Sequence, residues 1–192
     1  MKKTLIWLTA GAALIMQSGV GQKALAQRGG PPRPALLLST TAWTDGSTIP
    51  TKYTCAAKDD MVSPALTWAD APAATQTFAL LLHDPEPHIA KSRYDITHWM
   101  IWNIPATAKG LPENVPHTAD LPDGSRQGLA YNRKPGYAGP CAPPGNNHHY
   151  TYQLFALDAK LDLAPDASRD DFEKAIDGHV LSSSEVIALF HQ

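Results

Sequence analysis

The sequence carries no surplus of basic charge: 16 Lys and Arg stand against 18 Asp and Glu over 192 residues, a formal net charge of −2. A chain balanced in this way lacks the electrostatic footprint of a nucleic-acid binder, and no nucleic-acid partner is expected. Cysteine is equally scarce. Two residues, Cys55 and Cys141, are too few for a disulfide-dense scaffold or a four-thiolate zinc site. Beyond the N-terminus no apolar run reaches roughly 18 residues, so no stable membrane insertion is expected of the body of the chain. The glycines form neither G-x-G-x-x-G nor a P-loop, which removes the nucleotide-binding folds. There is no G-x-S-x-G elbow around Ser182 to Ser184, and no H-E-x-x-H. No nucleophile, cofactor or metal is therefore expected. His83, Glu86, His88 and His98 are metal-compatible side chains without ligand spacing, and read as a solvated turn.

What is present begins with a three-part export signal. Lys2 and Lys3 form a basic start, an apolar stretch of 12 residues runs from Leu5 to Met16, and Ala24-Leu25-Ala26 supplies the small-x-small cleavage pattern. Residues 1–26 are read as a signal peptide, 27–34 as a Gly- and Pro-rich flexible leader and 35–192 as one domain. Cleavage removes three lysines and no acids, leaving 13 basic against 18 acidic side chains, a net −5. The expected location is periplasmic or secreted. In an oxidising compartment the two cysteines suit a bridge, which by the chain-entropy model contributes about 4 kcal/mol for a loop of this length. Two buried, unpaired thiols are the alternative.

Short apolar or alternating segments, divided by Pro, Gly and Asn, read as strands: 35–43, 65–68, 77–83, 97–103, 129–132 and 149–157. Tyr150, Tyr152 and Phe155 in the last, with Trp99, Ile101 and Trp102 earlier, suit a pleated and half-buried surface. Helical signals come late. Ser168 with Asp171 opens a short helix to Ile176, and Ser182 with Glu185 forms a capping-box pattern ahead of Val186, Ile187 and Phe190. The order predicts a mainly β domain, a β-sandwich of antiparallel sheets with short C-terminal helices. Residues 110–144 are too rich in Gly and Pro for regular structure throughout, and long loops are where function concentrates.

Polar chemistry gathers at the strand ends. Asp84-Pro85-Glu86-Pro87 follows an apolar strand that proline must terminate. His98-Trp99 opens the next strand toward Asn103-Ile104-Pro105, and Gly139-Pro140 precedes His148-His149-Tyr150. In this order and spacing the chain resembles the phosphatidylethanolamine-binding protein family, in particular its bacterial Raf-kinase-inhibitor-like branch. Tyr53-Thr54-Cys55, Ser63-Pro64, Gln127-Gly128 and Phe155-Ala156-Leu157-Asp158 extend the match over nearly all of 35–192.

The resemblance implies a β-sandwich with a small anion pocket for a phosphate or phosphorylated head group. Asp84, His98, His148 and Tyr150 match its pocket positions, and Gly139 with Pro140 its wall. Two departures stand at the rim. Glu86 replaces the usual second Asp in a segment one residue short before Pro87, and His149 replaces the more usual Arg. Two imidazoles and a phenol can donate to phosphate oxygens, while a carboxylate beside them orients a tautomer. The expected function is non-catalytic binding of a small phosphorylated or anionic ligand. The rival readings are an inhibitor or interaction module whose surface meets an unidentified protein partner, and a hydrolase using the His and Asp cluster.

Overall fold

The computed structural model describes residues 35–86 and 95–192. The expected signal peptide and leader, together with Pro87 and His88, lie outside the described residues. The described chain is mainly β. Strands β1 (Leu37–Ser39), β3 (Leu66–Ala69) and β6 (Gly110–Leu111) form a three-stranded sheet in the order β1-β3-β6. The larger sheet runs β2-β9-β8-β4-β5-β7 and is built from β2 (Ser47–Thr48), β9 (Val180–Phe190), β8 (His148–Leu157), β4 (Thr77–Asp84), β5 (Ile96–Pro105) and β7 (Arg126–Gln127). Its pairs are antiparallel except β2 with β9. Both edges are two-residue strands.

Burial explains why β4 reads as an unbroken apolar run. It lies between β5 and β8 and is covered on both faces. Phe78, Leu80 and Leu82 join Trp99, Ile101, Tyr152 and Leu154 in a core shared with Leu38, Leu66 and Trp68 of the small sheet. The alternate residues Ala79 and Leu81 face the other way. They pack with Met100, Trp102 and Phe155 under Phe172 and Ile176 of helix α1 (Arg169–Ile176). The expected cap is present, since the Ser168 side chain and Asp171 satisfy one another's backbone N–H groups.

The expected second helix is not formed. Residues 180–190 pair with β8 along nearly its whole length, and Val186, Ala188 and Phe190 are buried in strict alternation. A single capping pattern cannot hold so short a helix in water, whereas the ladder satisfies every second backbone group at once. The serines read as a helix start serve the sandwich instead. Ser182 and Ser184 hydroxyls accept the Leu36 and Leu38 amides at 3.3 and 2.9 Å. Residues 129–132 are likewise a turn and not a strand: Arg133 adopts φ 60°, its amide bonds to the Ala130 carbonyl at 2.8 Å, and only Leu129 bridges, to Pro135.

Candidate functional site: a cavity at one end of the large sheet

Three neighbouring strands bring the polar residues together. In an antiparallel ladder β4 ends where β5 and β8 begin, so Asp84, His98, His148 and Tyr150 gather at one sheet end. Asp84 follows Leu82 on the core-facing side of β4. His98 reaches the same side through a bulge: Leu82 pairs with Trp99 and His83 with Thr97, leaving His98 as the unopposed extra residue. Such a bulge turns a side chain away from simple alternation, and here it sets His98 among Ala138, Gly139, Tyr131 and Tyr150.

The resulting cavity has a volume of about 250 Å³ and is lined by Asp84, Ile96, His98, Tyr131, Cys141, Ala142, Pro143, His148 and Tyr150. Gly139 and Pro140 stand behind this lining. The Gly139 carbonyl accepts from His98 Nδ1 at 3.1 Å, and the Pro140 carbonyl accepts from the Cys55 amide at 3.0 Å. Glycine is required at 139 because a Cβ there would sit 2.2 Å from the Tyr53 carbonyl oxygen. Cys55 and Cys141 are disulfide-bonded with Cα atoms 5.2 Å apart, tying the 139–143 wall to the turn after Tyr53. Glu86 and His149 form the adjoining rim, with His149 Nδ1 2.5 Å from Glu86 Oε1.

Proton placement follows from the partners. His98 is 3% exposed, and its Nδ1–H donates to the Ala138 carbonyl at 2.6 Å. Burial pushes its pKa down to about 4, against the pull of the two backbone carbonyls, so the ring is neutral with its lone pair on Nε2. His148 Nδ1 donates to Asp84 Oδ2 at 2.7 Å. Neither Nε2 has a hydrogen-bond partner among the described residues. Asp84 is 2% exposed. Burial, then the neighbouring Glu86 carboxyl, raise its pKa, while the His148 imidazole opposes them. Glu86 moves the opposite way despite partial burial, because Asp84 and His149 stabilise its charged form. Burial and the Asp84 charge push the Tyr150 phenol well up, so it keeps its proton, while its oxygen accepts from the Cys141 amide at 3.1 Å.

Ile96, Tyr131, Ala142 and Pro143 were not among the residues expected at the site. Tyr131, 44% exposed, lies with its ring centroid 4.9 Å from that of His98. Its position depends on the turn at 130–134 and on its amide bond to the Thr97 carbonyl beside the bulge, which no local sequence signal encodes.

The chain belongs to the phosphatidylethanolamine-binding protein family, whose model matches residues 39–191. Among its relatives, the UPF0098 protein of Methanothermobacter thermautotrophicus is 43% identical over 81% of this chain and 98% of its own length. That of Aquifex aeolicus is 36% identical over 76% and 82%. A solved phosphatidylethanolamine-binding protein homologue of Chlamydia trachomatis is 27% identical with a TM-score of 0.71, covering 83% of this chain and 99% of that one. Escherichia coli YbcL has the same fold, with a TM-score of 0.73 at 24% identity over 82% of this chain and 98% of that one.

Proposed function

We propose that the protein is an exported, non-catalytic binding protein whose sheet-end cavity takes a small phosphorylated or otherwise anionic group, as a soluble phosphomonoester or as a lipid head group. The observation that carries this reading is the pair of imidazoles, His98 and His148, each with Nδ1 committed to an oxygen and Nε2 open. A neutral His98 has spent its only donor on the backbone. It therefore meets an anion either by accepting from an acidic P–OH or by taking up a proton. Tyr150 supplies a hydroxyl beside them. The walls formed by Ile96, Tyr131, Ala142 and Pro143 are apolar and suit the organic part of a phosphomonoester.

Absence of turnover is proposed because, among the described residues, the lining includes no serine, threonine or free thiol, Cys141 being bridged. Export accords with the N-terminal signal pattern and with a disulfide that persists in oxidising compartments. No helix among the described residues is long and apolar enough to cross a membrane.

The test is calorimetric titration with phosphate, phosphorylethanolamine and ethanolamine. Saturable binding of the two phosphorylated compounds, with no response to ethanolamine, is the expected result. Proton uptake should accompany it, seen as an observed enthalpy that changes with the ionisation heat of the buffer. The absence of heat with both phosphorylated compounds would end the anion reading and leave a surface-acting interaction module in its place.

A further inference from the structure

We propose that a second groove, separate from the sheet-end cavity, is a binding site for a neutral saccharide. Three loops enclose a space of about 540 Å³ there. Asp60 comes from the loop before β3, Asn114 and His117 from the loop after β6, and Asn132 and Lys134 from the turn that follows Tyr131. Among the described residues the groove and the sheet-end cavity share no lining side chain, although Tyr131 of the one and Asn132 of the other are adjacent in the chain.

The polar groups of this groove are left open. Several exposed ionisable side chains elsewhere are paired: Lys52 with Glu113 and Arg126 with Asp120, both at 2.8 Å, and His179 with Asp158 at 2.9 Å. In the groove the side chains of Asp60, Asn114, His117 and Lys134 make no hydrogen bond or ion pair among the described residues, even though a carboxylate and an ammonium line the same space.

The backbone that carries them is fixed. The Ser63 carbonyl accepts the Asn114 amide and the Ser63 hydroxyl accepts the Val115 amide, both at 2.9 Å. The buried Gln127 side-chain amide donates to the Pro116 and Thr118 carbonyls, at 2.7 and 2.8 Å, on either side of His117. In the turn, the Ala130 amide bonds the Lys134 carbonyl at 2.9 Å, and Asn132 Oδ1 accepts the Lys134 amide at 3.0 Å. Asn114 and Arg133 adopt φ 62° and 60°, left-handed conformations disfavoured outside glycine and concentrated at ligand clamps. A fixed backbone presenting unspent side chains lowers the ordering cost when a ligand arrives.

The chemistry of the set selects the ligand. Two amides, an imidazole, a carboxylate and an ammonium offer donors and acceptors together, as the hydroxyls of a sugar ring require, each of which donates and accepts. One acid and one lysine cancel, so no net charge favours an anion or a cation. Met61 and Val62, both part-buried, add an apolar side for the C–H face of the ring. The site does not rest on the anion reading, because sugar binding is measurable with no phosphate present.

The experiment records proton–nitrogen correlation spectra of the purified protein during titration with glucose, galactose, N-acetylglucosamine and maltose, and with glycine as a zwitterionic probe. At least one sugar should shift the amides of residues 114–118 and 131–134 saturably, with affinity at least about fivefold weaker in His117→Ala and in Lys134→Ala. Both side chains are exposed and without internal partners, so these variants should melt at the native temperature. Lys109→Ala, at an exposed position outside the groove, should bind as the native chain does, and saturating phosphate should leave sugar binding in place. The absence of a saturable shift with all four sugars would overturn the proposal. Binding that survives both groove variants, falls equally in Lys109→Ala or is displaced by phosphate would overturn it too. Shifts produced by glycine alone would assign the groove to a zwitterion and equally overturn the saccharide reading.

Discussion

His83 and Asp84 are neighbours in the chain, and each enters a histidine–carboxylate pair, yet the two pairs lie on opposite faces of β4 in different surroundings. On the helix face, His83 Nδ1 is 2.6 Å from Asp95 Oδ2, and Asp95 also pairs with Arg169, whose Nε bonds Glu173 at 2.7 Å. Burial and the Arg169 guanidinium drive the His83 pKa down to about 4, so a neutral ring donates to a carboxylate whose charge arginine already balances. That face is closed by α1. On the sandwich face, His148 and Asp84 are bonded at 2.7 Å, and among the described residues no lysine or arginine lines the cavity. The two histidine–carboxylate pairs share their geometry and differ in what balances their charge and what covers them.

The largest effect that sharpens the contrast is expected where the open side is tied down. Replacing Cys55 and Cys141 by serine should cost about 4 kcal/mol, roughly 10 °C in Tm, since the loop removed from the unfolded ensemble spans 86 residues. Ligand affinity should fall as well, because the 139–143 wall loses its anchor, and melting curves with and without phosphate separate the two effects. On the closed side, Asp95→Ala leaves Arg169 and His83 without their shared acceptor. It should cost about 3 kcal/mol in chemical denaturation with no change in ligand affinity.

Acid should weaken the open side at His98. A histidine whose folded pKa lies near 4 and whose unfolded pKa lies near 6.5 gives stability that is whole above pH 6.5 and declines as pH falls toward 4. The loss amounts to about 3 kcal/mol at most. Denaturant midpoints measured from pH 7 to pH 4 should fall less in His98→Gln than in the native chain; equal slopes would remove His98 as the cause. Smallest of all, Tyr131→Ala should barely change stability and leave phosphate binding intact. An aryl phosphate should bind several-fold more weakly, which fluorescence competition would read.

Different parts of this design were legible to different degrees. β4 and β8 were plain in the sequence because burial and alternation are local properties of Phe78 to Leu82 and of Tyr150 to Leu157. The strand at 180–190 was hidden because Ser182 and Glu185 imitate a helix start, and only pairing with β8 decides between period 2 and period 3.6. Asp84, His98, His148 and Tyr150 were singled out by strand-end position and family resemblance, and they share one cavity. The bulge that swings His98 inward and the turn that brings Tyr131 over it are products of register, a tertiary property no short motif carries.

The most direct test of the account compares the two faces in one measurement: calorimetric titration of phosphorylethanolamine into the native protein, His148→Gln and His83→Gln. Binding at least about tenfold weaker in His148→Gln but native-like in His83→Gln is the predicted result. Equal losses in the two variants, or none in either, would contradict the division of labour between the faces of β4.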